Sequence, residues 1–415
     1  MLPVKQAESI ILEWVQPLDR QQDVEKIDLL VASDRILAEP VTSNLDFPHW
    51  HNSAMDGYAV RYEDVKDAST EKPAILQIVE EIPAGYAPQI TIQSGKTARI
   101  FTGAMMPPGA DTVVIQEVTK REGSRVAIFA APKAAGAFVR ERGCFYKAGS
   151  TLLNAGIALG APEIAVLAAA QCTCLRVYRR PQVVIFSTGN ELVDLASPLE
   201  PGQIVDSNQY ALATAVAKAG GKPVLLGIVK DEPEALKKAI ARSVEIADMV
   251  ISTGGVSVGD YDYVDEILAS LGAKIHIRSV GIKPGKPLTF ATFVSYPSNN
   301  RVLYFGLPGN PVSTLVTFWR FVQPALKKLS GLNQGWEPVF VQARSLQDLH
   351  SDGERESYLW GQLHLVDGQY EFHLASGSHS SGNLINLVQT NGLALVPVGK
   401  TLIPAGEKVQ VLLVS

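Results

Sequence analysis

The chain has 415 residues, which is too long for one hydrophobic core and predicts about two to four domains. Charged residues make up 19% of the sequence and the formal net charge is −5, so no excess of basic side chains is available to neutralise a nucleic-acid backbone. No apolar run approaches the roughly 20 residues that a membrane-spanning helix needs, and the N-terminal residues mix charged with apolar side chains, unlike a secretory signal. We therefore expect a cytoplasmic protein without nucleic-acid or membrane partners.

The N-terminal third combines helical and β-rich patterns. Residues 1–46 show helical periodicity, with an amphipathic helix near the N-terminus and a second helix predicted over 23–38. The periodicity stops between residues 48 and 61, an irregular stretch of a kind that is often functional. Short β-rich runs between Gly and Pro turns then predict a small β domain, with strands at 75–79, 90–92, 98–101, 112–115 and 126–129. Residues 162–171 return to a helical pattern, and a domain boundary is predicted near Pro181.

Few residues suggest a transition-metal site. The three cysteines, Cys144, Cys172 and Cys174, form no CxxC pair, so neither a disulfide framework nor a zinc site is expected. His49 and His51 could lie on one side of an extended segment as metal ligands, but no third ligand is near in the sequence, which makes the pair weak evidence.

Strands and helices alternate between residues 182 and 331. Short buried-type strands are predicted at 183–186, 224–228, 249–251, 275–277 and 302–305, and helices at 211–219, 236–247, 264–271 and 312–329. This alternation predicts a parallel sheet covered on both faces. After residue 331 the pattern returns to strands, predicted at 339–341, 358–366, 370–374, 393–396 and 409–414, so a second β domain closes the chain.

Three loops that follow predicted strands resemble one another in composition. They contain Ser187-Thr188-Gly189-Asn190-Glu191, Ser252-Thr253-Gly254-Gly255, and Gly306-Leu307-Pro308-Gly309-Asn310-Pro311-Val312-Ser313. The carboxyl ends of parallel strands lie at one edge of a sheet, so the three loops can converge on one ligand. Glycine turns that lead into helices offer backbone N–H groups and favour anions.

Two carboxylates, Asp260 and Asp262, follow the second loop and would suit a magnesium ion beside a phosphate. Helix capping is the alternative, since Asp is common at helix starts. Lys283 and Lys286 lie in the stiff sequence KPGKP, which would make an oxyanion clamp, with a solvated charged loop as the alternative. The polar loop GSHSSGN at 377–383 could bind an anion or be only a connector.

Six motifs in one order together resemble a known family. They are SAMDGYA at 53–59, FTGA with PPGAD at 101–111, STGNEL from 187, STGGVSVGDYDYV from 252, KPGKP from 283 and GLPGNPVS from 306. The sequence resembles the molybdopterin molybdenumtransferase family, MoeA, and the E domain of gephyrin, over essentially its full length.

The resemblance implies an α/β multidomain fold. Its parts would be an elongated helical domain at 1–47 and 146–180, a small β domain at 48–145, a central α/β domain with a parallel, MogA-like sheet at 181–330, and a C-terminal β-barrel-like domain at 331–415. It also implies a homodimer with a site shared between subunits. Molybdopterin adenylyltransferase and molybdoenzyme maturation proteins are possible further partners.

The activity implied by the resemblance is molybdate insertion at the dithiolene sulfurs of adenylylated molybdopterin, with release of AMP and a requirement for Mg²⁺. Such chemistry needs a positioned metal, donors for the phosphate and a pocket for a tetrahedral oxyanion. By resemblance, Asp262 and Asp260 would bind magnesium or position the water, and Glu191 and Asp231 would support the nucleotide or metal side. Lys283 and Lys286 would hold molybdate or phosphate.

The remaining site residues also follow from the resemblance. Asp56 and Thr102 would reach the site from the partner subunit. The cofactor-binding surface would comprise Ser187, Thr188, Gly189, Ser252, Gly254, Gly255, Ser257, Gly259, Pro287, Pro308, Gly309, Asn310, Ser313 and Ser381.

Two positions depart from the family pattern. Cys144 and Phe145 stand where the family usually has acidic residues, and Trp360 stands where the best register places an arginine, with Arg355 five residues earlier. One molybdate contact therefore stays open. Two other functions stay open with it: a pterin-binding scaffold or carrier of the same fold without turnover, and an adenylyltransferase or nucleotide hydrolase, since the central domain type is shared with these enzymes.

Overall fold

A computed structural model describes residues 1–254, 261–294 and 301–414, and at 261–263 it describes the backbone alone. The chain separates into two compact units. The larger unit contains Met1–Glu39, Ala155–Ile164 and Thr173–Ser415, and the smaller unit contains Pro40–Asn154 and Ala165–Cys172. The five-part domain division given above stays a prediction.

The larger unit is built on a six-stranded sheet. Its strands lie in the order Lys222–Val229, Gln182–Thr188, Met249–Thr253, Arg301–Leu307, Pro287–Val294 and Lys274–Ser279. The first four are mutually parallel, as predicted. Pro287–Val294 is antiparallel to both of its neighbours, so the prediction of a wholly parallel sheet is wrong at that edge. This strand was not predicted, because it begins at Pro287, the last residue of the KPGKP clamp.

Both faces of this sheet are buried, which explains why its strands are almost continuously apolar. Val183 and Ile185 point into one core, together with residues of the helices Val4–Trp14, Asn208–Lys218, Pro311–Thr317 and Gln323–Leu329. Val184 and Phe186 point into the other, together with residues of the helices Pro233–Ile246 and Tyr261–Ser270. The segment between the last two helices of the first face, Phe318–Val322, is a π-helix.

The C-terminal strands form a closed five-stranded barrel. The order is Glu356–Val366, Gln369–Leu374, Phe340–Ser345, Lys408–Leu413 and Gly392–Val396, and the last strand pairs with the first. All five predicted strands of this region are confirmed. The short strand Ile282–Lys283 pairs in parallel with Glu356–Val366, so the start of the KPGKP loop is fixed to the barrel.

The smaller unit contains a second six-stranded sheet. Its order is Thr112–Ile115, Gly57–Val60, Lys96–Ile100, Ala74–Ile82, Arg125–Ile128 and Thr119–Glu122. Four predicted strands are confirmed, while residues 90–92 form no strand. The strand Gly57–Val60 lies in the stretch predicted to be irregular. A Cβ on Gly57 would lie 2.0 Å from the carbonyl oxygen of Val114, so only glycine allows this close pairing.

Short ladders complete the secondary structure. The helix predicted at 23–38 is wrong, because Val24–Asp28 is a strand that pairs with Cys174–Tyr178 and is followed by the 3-10 turn Leu29–Val31. The other two-stranded pairs are Val41–Thr42 with Thr151–Leu153, Asn52–Ser53 with Val139–Arg140, Leu192–Val193 with Ile204–Val205, and Leu349–His350 with Leu402–Ile403. Ala161–Ala169 is helical, and Tyr62–Asp64, Gln116–Val118 and Ile385–Leu387 are 3-10 turns. Among the described residues, every helix is too short or too polar to cross a membrane.

Candidate functional site

Three loops meet at the carboxyl edge of the central sheet. The strands Gln182–Thr188, Met249–Thr253 and Arg301–Leu307 are parallel neighbours, so the loops that follow them leave the sheet on one side. Together they border a cavity of about 720 Å³, here called the loop cavity. Its lining includes Pro287 and ten residues of the three predicted loops: Thr188, Gly189, Glu191, Thr253, Gly254, Pro308, Gly309, Asn310, Pro311 and Ser313.

Close backbone packing holds the first two loops together. Gly254 has a φ of +88°, and a Cβ at this position would lie 2.0 Å from the carbonyl oxygen of Thr188. Any other residue would combine left-handed backbone strain with a steric clash. A Cβ on Gly309 would lie 3.5 Å from the Cα of Gly254, so the third loop is packed against the second.

Asn208, which the sequence analysis missed, joins two of these loops. Its Nδ2 donates to Thr253 Oγ1 at 3.0 Å and to the carbonyl oxygen of Gly309 at 2.8 Å. The neighbouring Asp206 is buried and accepts the backbone N–H of Asn208 at 3.1 Å, which fixes the start of the helix Asn208–Lys218. Both residues line the loop cavity. An Asp-Ser-Asn turn before a helix was the available signal, but such turns are common caps.

Besides Asp206, two carboxylates line the same cavity. Glu191 and Asp231 both border it, and Thr188 Oγ1 donates to Asp231 Oδ1 at 3.3 Å. This donor set of carboxylate and hydroxyl oxygens fits magnesium, which usually takes one or two carboxylates together with phosphate oxygens and water. Among the described residues, no three His, Cys, Asp or Glu side chains are grouped closely enough to hold a metal by themselves.

Several predicted site residues are not part of this lining. Ser187 and Ser252 are buried near the ends of their strands, where Ser252 Oγ lies 2.7 Å from the hydroxyl of Tyr304 and Ser187 Oγ has no partner among the described residues. Gly255, Ser257, Gly259 and Asp260 lie outside the described residues, as does the side chain of Asp262, whose backbone belongs to the helix Tyr261–Ser270.

A second cavity, of about 460 Å³, adjoins the first. It is bordered by Lys283, Lys286 and Arg355 and is here called the cationic pocket. Pro287, Asn310 and Ser313 line both cavities, so the two are neighbours that share these three residues.

Asp352 neutralises part of this positive charge. Lys283 Nζ donates to Asp352 Oδ2 at 2.8 Å, and Arg355 Nη2 lies 3.7 Å from the same oxygen. The hydrogen bond from Lys283 holds the pKa of Asp352 below its usual value. Lys286 forms no ion pair with a described residue. The pocket therefore keeps a net positive charge that suits an oxyanion.

Ser381 lies in the wall between the barrel and the third loop. Asn310 Nδ2 donates to Ser381 Oγ at 3.0 Å, and the backbone N–H of Val312 donates to the carbonyl oxygen of Ser381 at 3.1 Å. Both contacts fix the loop 377–383 against the start of the helix Pro311–Thr317, so its polar groups are held at the cationic pocket.

Comparison with known proteins agrees with this architecture. Residues 2–170 match the model of the MoeA N-terminal region (domains I and II), residues 184–328 match that of a probable molybdopterin binding domain, and residues 342–414 match that of the MoeA C-terminal region (domain IV). A molybdopterin molybdenumtransferase of Nostoc sp. is 62% identical over 99% of this chain and 94% of its own length. The chain belongs to the MoeA family.

More distant MoeA relatives extend over the same length. A molybdopterin molybdenumtransferase of Haemophilus influenzae is 33% identical over 99% of this chain and 98% of its own. The crystal structure of the molybdopterin biosynthesis MoeA protein from Pyrococcus horikoshii matches with a TM-score of 0.82 and 29% identity, and the match covers 100% of both chains. The predicted family and fold class are thereby confirmed.

The cationic pocket contains a guanidinium group despite the departure from the MoeA pattern in the C-terminal region. Arg355 borders the pocket, although Trp360 occupies the register expected for arginine. Trp360 is buried, its Nε1 donates to Asn386 Oδ1 at 2.9 Å, and its ring lies 4.8 Å from that of His379. The strand start at Glu356 places Arg355 beside the clamp, which a sequence register alone does not show.

Asp56 and Thr102, the MoeA-type residues of the smaller unit, contact each other. The backbone N–H and the hydroxyl of Thr102 both donate to Asp56 Oδ1 at 2.8 Å. These two hydrogen bonds lower the pKa of Asp56, and the one from the backbone N–H has the larger effect on that pKa. At the second departure from the pattern, Cys144 and Phe145 are both exposed.

Proposed function

We propose that this protein is a molybdenumtransferase that inserts molybdenum from molybdate into adenylylated molybdopterin and releases AMP. The observation that carries the proposal is that the loop cavity and the cationic pocket are neighbours, with Pro287, Asn310 and Ser313 lining both. A reaction between a nucleotide-linked pterin and an oxyanion needs two subsites of this kind within reach of each other.

The loop cavity is proposed to bind the adenylylated pterin. Thr188, Gly189, Gly254 and Gly309 offer polar groups and backbone at the carboxyl edge of a parallel sheet, where phosphates bind well. Glu191 and Asp231 would hold magnesium together with Asp260 and Asp262. Magnesium, when bound, neutralises charge on the phosphoanhydride that is cleaved.

The cationic pocket is proposed to bind molybdate. Lys283, Lys286 and Arg355 supply the positive charge, and Ser313 and Ser381 supply hydroxyl groups for a tetrahedral dianion. Arg355 would fill the contact that the resemblance left open. Pocket side chains held by the barrel and by the helix Pro311–Thr317 need little reordering when the anion binds, which favours transfer to the neighbouring pterin.

The remaining parts of the proposal concern assembly. We infer a cytoplasmic homodimer in which Asp56 and Thr102 act at the site of the partner subunit. Molybdopterin adenylyltransferase is the class of enzyme that would supply the substrate, and molybdoenzyme maturation proteins would receive the product.

Substitution on the helix Tyr261–Ser270 tests this function. Asp262→Asn is expected to abolish molybdate-dependent AMP release while leaving the Kd for adenylylated molybdopterin within about twofold. Asp265→Asn is the matched control, since Asp265 is on the same helix but pairs with Arg278. Equal AMP release by both variants would contradict the proposed roles. Tight pterin binding by the wild-type protein without any AMP release would instead favour a pterin-binding scaffold without turnover. The exposed Phe145 and the buried Trp360 in the pocket wall are the observations that support this alternative.

A further inference from the structure

A buried charged residue stands behind the wall of the cationic pocket. Arg320 is 3% exposed, and its Nε donates to the hydroxyl of Tyr358 at 3.0 Å. Tyr358 is fully buried and borders the pocket. Arg320 itself does not border either cavity, so its effect on a bound anion passes through Tyr358 and the elements that the two residues join.

The hydrogen bonds of this pair continue in both directions. Arg320 Nη2 donates to Glu8 Oε2 at 2.9 Å, on the helix Val4–Trp14. The hydroxyl of Tyr358 donates to Glu356 Oε1 at 2.6 Å. A chain of polar contacts therefore runs from the N-terminal helix through Arg320 and Tyr358 to the first residue of the barrel strand.

The last residue of this chain of contacts, Glu356, lies beside the residues that give the pocket its positive charge. Glu356 is directly after Arg355 and is paired with Ile282 in the short parallel ladder, and its backbone N–H donates to the carbonyl oxygen of Gly281 at 3.0 Å. Lys283 is the next residue of that ladder. Fixing Glu356 thus fixes the backbone that carries both Lys283 and Arg355.

Arg320, in the middle of this chain of contacts, also connects to the helix that carries the pocket residue Ser313. Arg320 lies in the π-helical segment Phe318–Val322, which continues the helix that carries Ser313. π-helical turns inside α-helices cost stability and occur often at functional sites. One guanidinium therefore joins the Ser313 helix, the Arg355 strand and the N-terminal helix.

The energetics of the pair fit positioning better than stabilisation. Arg320 Nη1 is buried without a hydrogen-bond partner among the described residues. A buried, incompletely paired charge contributes less to stability than apolar side chains of similar volume would. What it does provide is a fixed direction for each hydrogen bond that it makes.

We propose that Arg320 and Tyr358 are positioning residues for the oxyanion of the transfer reaction, acting by holding Arg355 and Lys283 in their binding geometry. The proposal rests on the proposed function, since molybdate is the oxyanion concerned. It assigns to the N-terminal helix, through Glu8, a part in anion affinity.

The test compares isosteric tyrosine variants. Tyr358→Phe keeps the packing but leaves Arg320 Nε and Glu356 Oε1 without their shared partner. The Kd and KM for molybdate should rise about tenfold in this variant. Its kcat and its Kd for adenylylated molybdopterin should stay within about twofold of the wild-type values. Tyr178→Phe is the matched control, because Tyr178 is also buried and accepts a hydrogen bond, from Arg20 Nε at 3.2 Å, but borders neither cavity. The control should keep the wild-type molybdate affinity.

A double-mutant cycle separates positioning from direct contact. Glu8→Gln should weaken molybdate binding in the wild-type background and have no further effect in Tyr358→Phe, because the path runs through Tyr358. Additive effects, or equal molybdate affinities in Tyr358→Phe, Tyr178→Phe and wild type, would overturn the inference alone. If wild-type protein bound no molybdate by equilibrium dialysis, the proposed function and this inference would both be wrong.

Discussion

The side-chain amide of Asn208 donates to the hydroxyl of Thr253 at 3.0 Å and thereby ties the start of one helix to the glycine turn after a central strand. The same nitrogen also donates to Gly309 O, so one amide holds the second and third loops of the cavity in fixed relation. Positions of backbone donors toward a ligand depend on that relation.

Asn208→Asp is expected to loosen this arrangement. A carboxylate cannot donate a hydrogen bond to Gly309 O, so this carbonyl oxygen loses its partner and is repelled by the nearby carboxylate oxygen. The loss should lower the free energy of unfolding by about 1–3 kcal/mol. The Kd for adenylylated molybdopterin should rise about tenfold in a binding titration.

Asn391→Asp provides the control for this loss of a donor. Asn391 Nδ2 donates to the carbonyl oxygen of Leu363 at 3.0 Å in the barrel and borders neither cavity. This variant should lose stability and keep its pterin affinity. Equal losses of affinity in the two variants would mean that Asn208 acts on general stability.

Gly254→Ala should be far more damaging than Gly220→Ala. Both glycines have positive φ, +88° and +91°, so both variants bear about 1–2 kcal/mol of backbone strain. Only Gly254 also faces a carbonyl oxygen at 2.0 Å from an added Cβ, whereas open space surrounds Gly220. Urea unfolding should show the larger loss for Gly254→Ala, together with loss of nucleotide binding. Similar free energies of unfolding for the two variants would contradict the described packing of Gly254 on Thr188.

Asp352→Asn is expected to tighten molybdate binding. The substitution removes the negative charge of Asp352, whose carboxylate accepts a hydrogen bond from Lys283 and lies 3.7 Å from Arg355. The positive potential of the pocket therefore rises. The Kd should fall several-fold at low salt and approach the wild-type value at high ionic strength, because the effect is screened. Asp348→Asn is the control, since Asp348 accepts the N–H of Ala405 at 2.8 Å and lines neither cavity. A weaker molybdate affinity in Asp352→Asn would mean that Asp352 positions Lys283 rather than competing with the anion.

Thr102→Val should raise the pKa of Asp56. The hydroxyl of Thr102 is one of two donors that lower this pKa, so its removal shifts the carboxyl back toward its usual value of about 3.9. Because the folded pKa is depressed, the stabilising contribution is present above the unfolded pKa and is lost as pH falls through the folded pKa. Carboxyl NMR titration should show an upward shift for Asp56 and none for Asp46, whose pKa is lowered by other donors, Ala148 and Arg142. An unchanged Asp56 midpoint would contradict this assignment of donors.

Much of the fold followed from patterns within single segments. The parallel strands ending at Thr188, Thr253 and Leu307 are short apolar runs followed by glycine loops. Strands whose partners are distant in sequence were harder. Val24–Asp28 has apolar spacing that also fits a helix, and its pairing with Cys174–Tyr178 decides the conformation. Pro287–Val294 was not predicted as a strand, because it begins at the proline that ends the KPGKP clamp, although strands tolerate proline at their first residue.

The candidate site divides along the same line. Residues in contiguous motifs, such as Gly254, Pro308 and Lys286, were identified by their sequence. Asn208 was not identified, and Arg355 was noted only as an arginine five residues before the expected register. The roles of both depend on hydrogen bonds and strand pairing between segments about 70 to 100 residues apart. Arg320 is harder still to identify from the sequence, since it does not border either cavity.

The most direct test of the proposed function is AMP release by the purified protein from adenylylated molybdopterin and magnesium, measured with and without molybdate. We expect release that depends on molybdate and saturates with it, because the anion occupies the cationic pocket beside the pterin. Release that is the same without molybdate, or no release from a protein that binds the pterin tightly, would contradict the assignment of this protein as a molybdenumtransferase.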